Sequence, residues 1–322
     1  MKASGVGFGF TLALACTVLA AAGTAHAGDR QKILITSTAD RTEQPSYLIV
    51  PDGFDPKGPP VPLLVSLHTW SHNVEQRHKG FEQGAEKLGW LFLLPNFRGR
   101  NEQPEACGSL LAQQDILDAV DWVLAHYPVD QRKIYLCGLS GGGHMAMLMA
   151  GRYPQRWTAV SAWVGISDLR TWHQRHAQDS YGKMLRACCG GAPGDSPAVD
   201  EQYRLRSPIT WIAASKDLPL DLAAGVHDGH KGSVPVRQTI DAFNAVAQAQ
   251  GLPGVSEEEI QQISRPDGRL DKPLPSDQPE KSDVGRAIYL RRTAGKARVT
   301  IFEGGHQRLD SAALQWLSQQ SK

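Results

Sequence analysis

The sequence has 322 residues and carries 34 basic against 33 acidic side chains, so its formal charges nearly cancel. That balance gives no electrostatic basis for binding nucleic acid or an anionic membrane surface, both of which need a clustered excess of Lys and Arg. A hydrophobic content of 41% suits a globular chain able to bury a substantial core.

The first residues read as a targeting segment. Met1-Lys2 is a short positive start, Val6 to Ala22 is mostly apolar and small, and Ala25-His26-Ala27 matches an A-x-A cleavage pattern. Residues 1–27 are therefore expected to be a removed signal peptide, with Gly28 as the mature start and the periplasm or extracellular space as destination. A lipoprotein reading would use Ala13-Leu14-Ala15-Cys16, but the apolar run before Cys16 is short and Ala13 is a poor residue there. No other apolar run is long enough to span a bilayer. Export permits disulfides. Cys137 lies in an apolar run and reads as a buried free thiol. Cys107 is a candidate to pair with Cys188 or Cys189, between which spacing does not choose.

In chain order, 31–36 and 46–50 read as strands, followed by the turn Pro51-Asp52-Gly53. Residues 62–68 form a strongly apolar strand that ends in the polar loop His68-Thr69-Trp70-Ser71. A helix over 81–87 and a strand over 90–95 follow, then the loop Asn96-Phe97-Arg98-Gly99. Residues 115–125 have helical periodicity. The run Ile134 to Cys137 reads as a buried strand; it breaks into Gly138-Leu139-Ser140-Gly141-Gly142 and passes directly into a helix-forming run, His144 to Ala150. A strand spans 159–165, with Asp168 at its exit, and 170–208 is an excursion over one face. A strand over 220–227, a helix over 236–250, a hairpin of 287–291 with 297–302, and a C-terminal helix over 312–319 complete the pattern. Residues 252–285, rich in Pro, Asp, Glu and Gln, read as a surface insertion, with Ser256 and Glu259 offering a capping box. Strands separated by helices imply βαβ units and a mostly parallel sheet flanked by helices on both faces, in a single domain over 28–322.

Strand, tight turn with a serine at its apex, then helix is the context in which G-x-S-x-G carries chemical meaning. In a parallel sheet, chemistry collects at the carboxyl ends of the strands. Standing there are His68 and Thr69, Ser140, Asp168, Asp228 and His306. Ser140, Asp228 and His306 follow one another as nucleophile, acid and base. A serine hydroxyl needs an imidazole to take its proton during attack, and that imidazole needs a carboxylate to hold its tautomer. His306 is the expected base and Asp228 its partner, with Asp168 as the second candidate acid. Met145, Met147 and Met149 read as core packing of the helix after the serine. His68 and His72 lack the H-E-x-x-H context of a zinc site, and no metal or cofactor is expected.

Pro95-Asn96-Phe97-Arg98-Gly99, the Gly138–Gly142 turn, Arg206-Ser207-Pro208, Gly225-x-x-Asp228 with Val234-Pro235, and Gly305-His306 give the resemblance. Across about residues 60–310 the chain resembles an α/β-hydrolase, in particular the catalytic domain of prolyl-oligopeptidase-like (S9-type) peptidases and the esterases akin to them. The resemblance implies a Ser140-Asp228-His306 triad acting on an acyl substrate through an acyl-enzyme. It also implies an oxyanion hole built from backbone N–H groups. Gly141 supplies one, and Thr69 or Trp70 the other, Thr69 standing where relatives commonly have glycine. The loop Gly229 to Ser233 is longer than the resembling pattern has between acid and Val-Pro. Trp70, Trp163 and Tyr181 are candidates to line the substrate pocket. The chain has no room for the β-propeller that gates the large peptidases, so ester hydrolysis is the expectation, with S9-like peptide cleavage and a non-catalytic binding module as alternatives.

Overall fold

A computed structural model describes residue 1, residues 29–278 and residues 281–322. The signal-peptide expectation therefore falls outside the described residues. The strands are β1 (Arg30–Thr36), β2 (Glu43–Ile49), β3 (Val61–Leu67), β4 (Leu91–Pro95), β5 (Val129–Leu139), β6 (Ala159–Trp163), β7 (Leu220–Gly225), β8 (Ile288–Ala294) and β9 (Ala297–Phe302). The helices are α1 (Lys79–Lys87), α2 (Leu110–His126), α3 (Gly141–Arg152), α4 (Leu169–His176), α5 (Ser180–Cys189), α6 (Pro197–Arg206), α7 (Val236–Ala249), α8 (Glu257–Ile263) and α9 (Asp310–Ser318).

The strands form one sheet in the order β1-β2-β4-β3-β5-β6-β7-β9-β8. The run from β4 through β9 is parallel, while β1, β2 and β8 pair antiparallel at the two edges. Alternation of side chains explains why the inner strands read as continuous apolar runs. Leu63, Val65, Leu91, Leu93, Ile134 and Leu136 face one layer. Leu64, Phe92, Leu94, Tyr135 and Cys137 face the other. A strand covered on both sides has no polar face to show. Helices α2, α3 and α7 contribute to the first layer, and α1 and α9 to the second.

The N-terminal hairpin is tied to the loop after β4 by a buried ion network. Arg98 donates to Asp115 at 2.6 Å and to Asp40 at 2.7 Å, and Ser37 Oγ donates to Asp115 at 2.6 Å. Arg98 holds φ +74°, a left-handed conformation that this network secures. Burial pushes the Asp115 carboxyl up, and the guanidinium beside it opposes that shift.

The described residues of 252–285 are firmly anchored. Val255, Ile260 and Ile263 enter the core, and buried Asp277 accepts from Arg291 N–H at 2.7 Å. The Ser256–Glu259 capping box forms. The expected disulfide does not: all four described cysteines are free and buried. Cys107, Cys188 and Cys189 nevertheless gather in one apolar cluster beneath the 169–206 excursion.

Asp115→Asn removes the charge that Arg98 bonds most deeply, leaving Asp40 as its remaining carboxylate. The loss expected is about 2 kcal/mol, the scale of a hydrogen bond to a charged group, and urea unfolding of the two proteins measures it.

Candidate active site

The sheet order reverses at β3: the chain steps from β3 outward to β4, then returns to place β5 on the other side of β3. A crevice opens at the carboxyl ends of strands where the order switches. The loops that meet there are the one after β3, carrying Thr69 and Trp70, and the one after β5, carrying Ser140.

Ser140 is the cap residue before α3, at φ +58°, ψ −116°. The glycines around it answer a different need from that strained φ. A Cβ on Gly138 would stand 2.0 Å from Gly142 O, one on Gly142 2.3 Å from Leu67 O, and one on Gly141 2.4 Å from Trp70 N. Backbone meets backbone at each position, so no side chain fits. The serine alone carries the strained conformation, and its N–H donates to Trp163 O at 2.9 Å. Core packing of Met145 to Ala150 keeps α3, and therefore the turn, in place.

Gly141 heads α3, so its N–H has no acceptor within the helix. Trp70 N–H is packed against it and has no hydrogen-bond partner among the described residues. Thr69 N–H is different: it donates to Gln76 Oε1 at 2.8 Å. Of the two residues expected to offer a second donor, Trp70 has a free N–H and Thr69 does not. The loop is stiffened further by His68, buried with its ring stacked on Phe97 at 3.8 Å and Nε2 donating to Asn96 O at 2.6 Å. Burial lowers the His68 imidazole to about 4. His144, one turn into α3, is also lowered to about 4 by burial and donates to Arg206 O at 2.8 Å. Both rings are neutral structural elements at neutral pH.

Two strands away, Gly225 packs against the carbonyls of Gly304 and Gly305, which a Cβ would meet at 2.2 Å and 2.4 Å, Gly305 being the nearer. That contact draws together the loops after β7 and β9. Asp228 is buried, and its Oδ2 accepts from His306 Nδ1 at 2.8 Å. Its Oδ1 accepts from the N–H groups of Gly229 at 3.0 Å and Val234 at 3.1 Å. The lengthened loop thus closes around the carboxylate instead of displacing it. His306 stays partly exposed. Among the described residues no hydrogen bond links Ser140 to His306; such contacts are commonly long without substrate and tighten on binding.

Asp168, the other candidate acid, caps α4, its Oδ1 accepting from Arg170 N–H at 2.9 Å. The pocket expectation for Trp163 fails. Its indole lies in the layer beneath the sheet, edge-on to Phe302 at 5.6 Å, with Nε1 donating to Ser161 Oγ at 2.8 Å. An odd position on β6 placed it on the face away from the site. The Trp70 ring is buried between His144 and Trp172, and Tyr181 packs on Trp172 at 5.1 Å and His176 at 5.2 Å. Gln76 and Trp172 are not marked by the sequence, and His176 reads there only as a histidine which, with His173, lacks further metal ligands nearby; nothing in their spacing connects them to the strand ends.

A family model described as the prolyl oligopeptidase family matches residues 85–255, a span that holds Ser140 and Asp228 and ends before His306. The chain is similar to feruloyl esterase B of Talaromyces stipitatus, 24% identical over 195 residues, covering 58% of this chain and 47% of that protein. It is similar to acetylxylan esterase A of Emericella nidulans, 23% identical over 191 residues, covering 55% and 54%. The chain thus spans about half the length of these esterases. Among solved structures, an acylaminoacyl peptidase bound to Z-Gly-Gly-Phe-chloromethyl ketone superposes with TM-score 0.56 at 20% identity, over 70% of this chain and 35% of that one. A thermostable esterase superposes with TM-score 0.54 at 15% identity, over 91% and 64%.

Gly232 lies so close to the acid that a Cβ would stand 2.1 Å from Asp228 Oδ1 and 3.1 Å from His306 Cβ. Gly232→Ala is expected to push the carboxylate off the imidazole, and loss of the low-field Nδ1–H resonance of His306 in 1H NMR checks this.

Proposed function

The chain belongs to the prolyl oligopeptidase family of serine hydrolases and has the α/β-hydrolase fold, and on that premise we propose that it is an exported hydrolase of carboxylic esters. The observation that carries the catalytic reading is the 2.8 Å bond from His306 to buried Asp228, on the same sheet edge as Ser140 in its strained turn. His306 takes the proton from Ser140 Oγ as that oxygen attacks the acyl carbonyl. Asp228 fixes the proton on Nδ1, leaves Nε2 free to accept, and stabilises the imidazolium that forms. The carbonyl oxygen gains negative charge and is met by the N–H groups of Gly141 and Trp70, which lie close together and have no partners among the described residues. The protonated imidazole then gives its proton to the leaving alcohol. Water, activated by the same ring, releases the acid from Ser140.

The relatives named as feruloyl and acetylxylan esterases favour ester cleavage. The matching family model and the acylaminoacyl peptidase likeness favour amide cleavage as the second reading, which the same groups serve. A fluorophosphonate probe should label the wild type and not Ser140→Ala, and Asp228→Asn should slow labelling by about four orders of magnitude. Asp168→Asn should leave it close to wild type; the reverse order would reassign the acid. In the same assay series, aryl esters should turn over and prolyl or alanyl anilides should not, and turnover of anilides alone would replace the ester reading by the peptidase one. Export is read from residues 1–27, and N-terminal sequencing of protein secreted by a producing cell should begin at Gly28.

A further inference from the structure

We infer that His176 and Trp172, both on α4, are positioning residues for the reaction proposed above, holding the loop that carries Asp228. The inference rests on that reaction, but it starts from a separate group of contacts. Asp228 Oδ1 takes one of its two backbone bonds from Val234 N–H, so the orientation of the carboxylate depends on where Val234 stands. Residues 229–233 are Gly-His-Lys-Gly-Ser, with His230 and Lys231 exposed, and offer no apolar side chain to bury. Such a loop needs anchoring from outside.

Helix α4 supplies it. Ser233 O, in the same peptide group as Val234 N–H, accepts from Trp172 Nε1–H at 2.9 Å and from His176 Nε2 at 2.8 Å. At the other end of the loop, Arg175 donates to Gly229 O. The His176 ring is itself oriented by Asp179, whose Oδ2 lies 2.6 Å from Nδ1, and by the rings of Trp172 at 5.0 Å and Tyr181 at 5.2 Å. Trp172 also reaches the other half of the site: its indole meets the Trp70 ring edge-on at 4.7 Å, and Trp70 carries the N–H that faces Gly141. One buried indole therefore touches both the acid loop and the oxyanion loop. Neither Trp172 nor His176 is hydrogen-bonded to Ser140 or His306, which makes their role positional. Misplacing a catalytic group by about 1 Å costs on the order of 100-fold in rate, so a slack acid loop has a measurable consequence.

The test uses the full-length enzyme with an activated aryl ester, reading kcat and KM separately, with melting temperature and circular dichroism to establish folding. His176→Leu and Trp172→Phe are expected to lower kcat by about 10- to 100-fold with KM moved by less than about threefold. His176→Gln, whose amide N–H reaches the same carbonyl, should recover most of the loss. In an Asp228→Asn background His176→Leu should cost less than about threefold, because the position of the acid no longer matters there. Trp172→Phe should keep part of its effect in that background, since it also withdraws support from Trp70. Full additivity of His176→Leu with Asp228→Asn, or wild-type kcat in a folded His176→Leu, overturns the inference. If Trp172→Phe does not fold, the His176 pair carries the test. Wild-type turnover by Ser140→Ala would instead overturn the reaction itself, a result the His176 variants cannot mimic.

Discussion

The first turn of α3 lies directly against the backbone leaving β3, with the carbonyl of Leu67 and the N–H of Trp70 where side chains would otherwise project. This contact admits only glycine at 141 and 142, as the turn itself does at 138, where a Cβ would meet Gly142 O, and Ser140 between them holds a conformation worth roughly 1–3 kcal/mol of strain. The burial of α3 between β5, β6 and the first core layer sustains that cost. The same contact sets the N–H of Gly141 beside the N–H of Trp70. A strained serine and two neighbouring N–H groups without partners among the described residues therefore lie at one close approach of two backbones.

Asp228 and His306 are brought together by a second close approach of the same kind, Gly225 against Gly304 and Gly305. Between the two contacts run the parallel strands β5, β6, β7 and β9, whose registers decide how far apart the loops stand. Rigid parts of the molecule thus place the backbone of the site. Polar side chains then trim the loops: Gln76 turns Thr69 N–H away, His68 ties the β3 loop to Asn96, and α4 holds Ser233. Each of these is buried or half-buried, where an unpaired polar group would be costly, so they are satisfied by each other.

Much of this could be read in the chain. Residues 134–137 and 90–95 are apolar runs because both faces of those strands are covered, and the turn around Ser140 announces itself because only glycine fits there. The flanking Gly225 and Val234-Pro235 favour Asp228 over Asp168, despite a loop longer than the resembling pattern has. Asp168 could not be dismissed from the sequence, since a carboxylate at a strand exit serves equally well as a helix cap, which is how it is used. Trp163 is ambiguous in the sequence for a related reason: its neighbours on β6 all belong to a buried strand, so the run does not say which face each residue takes. The proposed cysteine staple failed because nearness in an apolar cluster is a property of the fold and does not by itself make a bond.

What the sequence determined by itself was local or periodic: the alternation of strand and helix, the steric demand for glycine around Ser140, and the order of Ser140, Asp228 and His306. These follow from residues adjacent in the chain or repeating along it, whose physics acts before any long-range contact forms. The tertiary structure alone decided which N–H groups remain free, which carboxylate meets the His306 imidazole, and which helix bonds the loop after Asp228. The last two depend on pairs separated by tens of residues, Asp228 and His306 being 78 apart and His176 and Ser233 57 apart. Hydrogen bonding across such distances is selected by the register of the sheet and the packing of α4, and no spacing in the sequence encodes it.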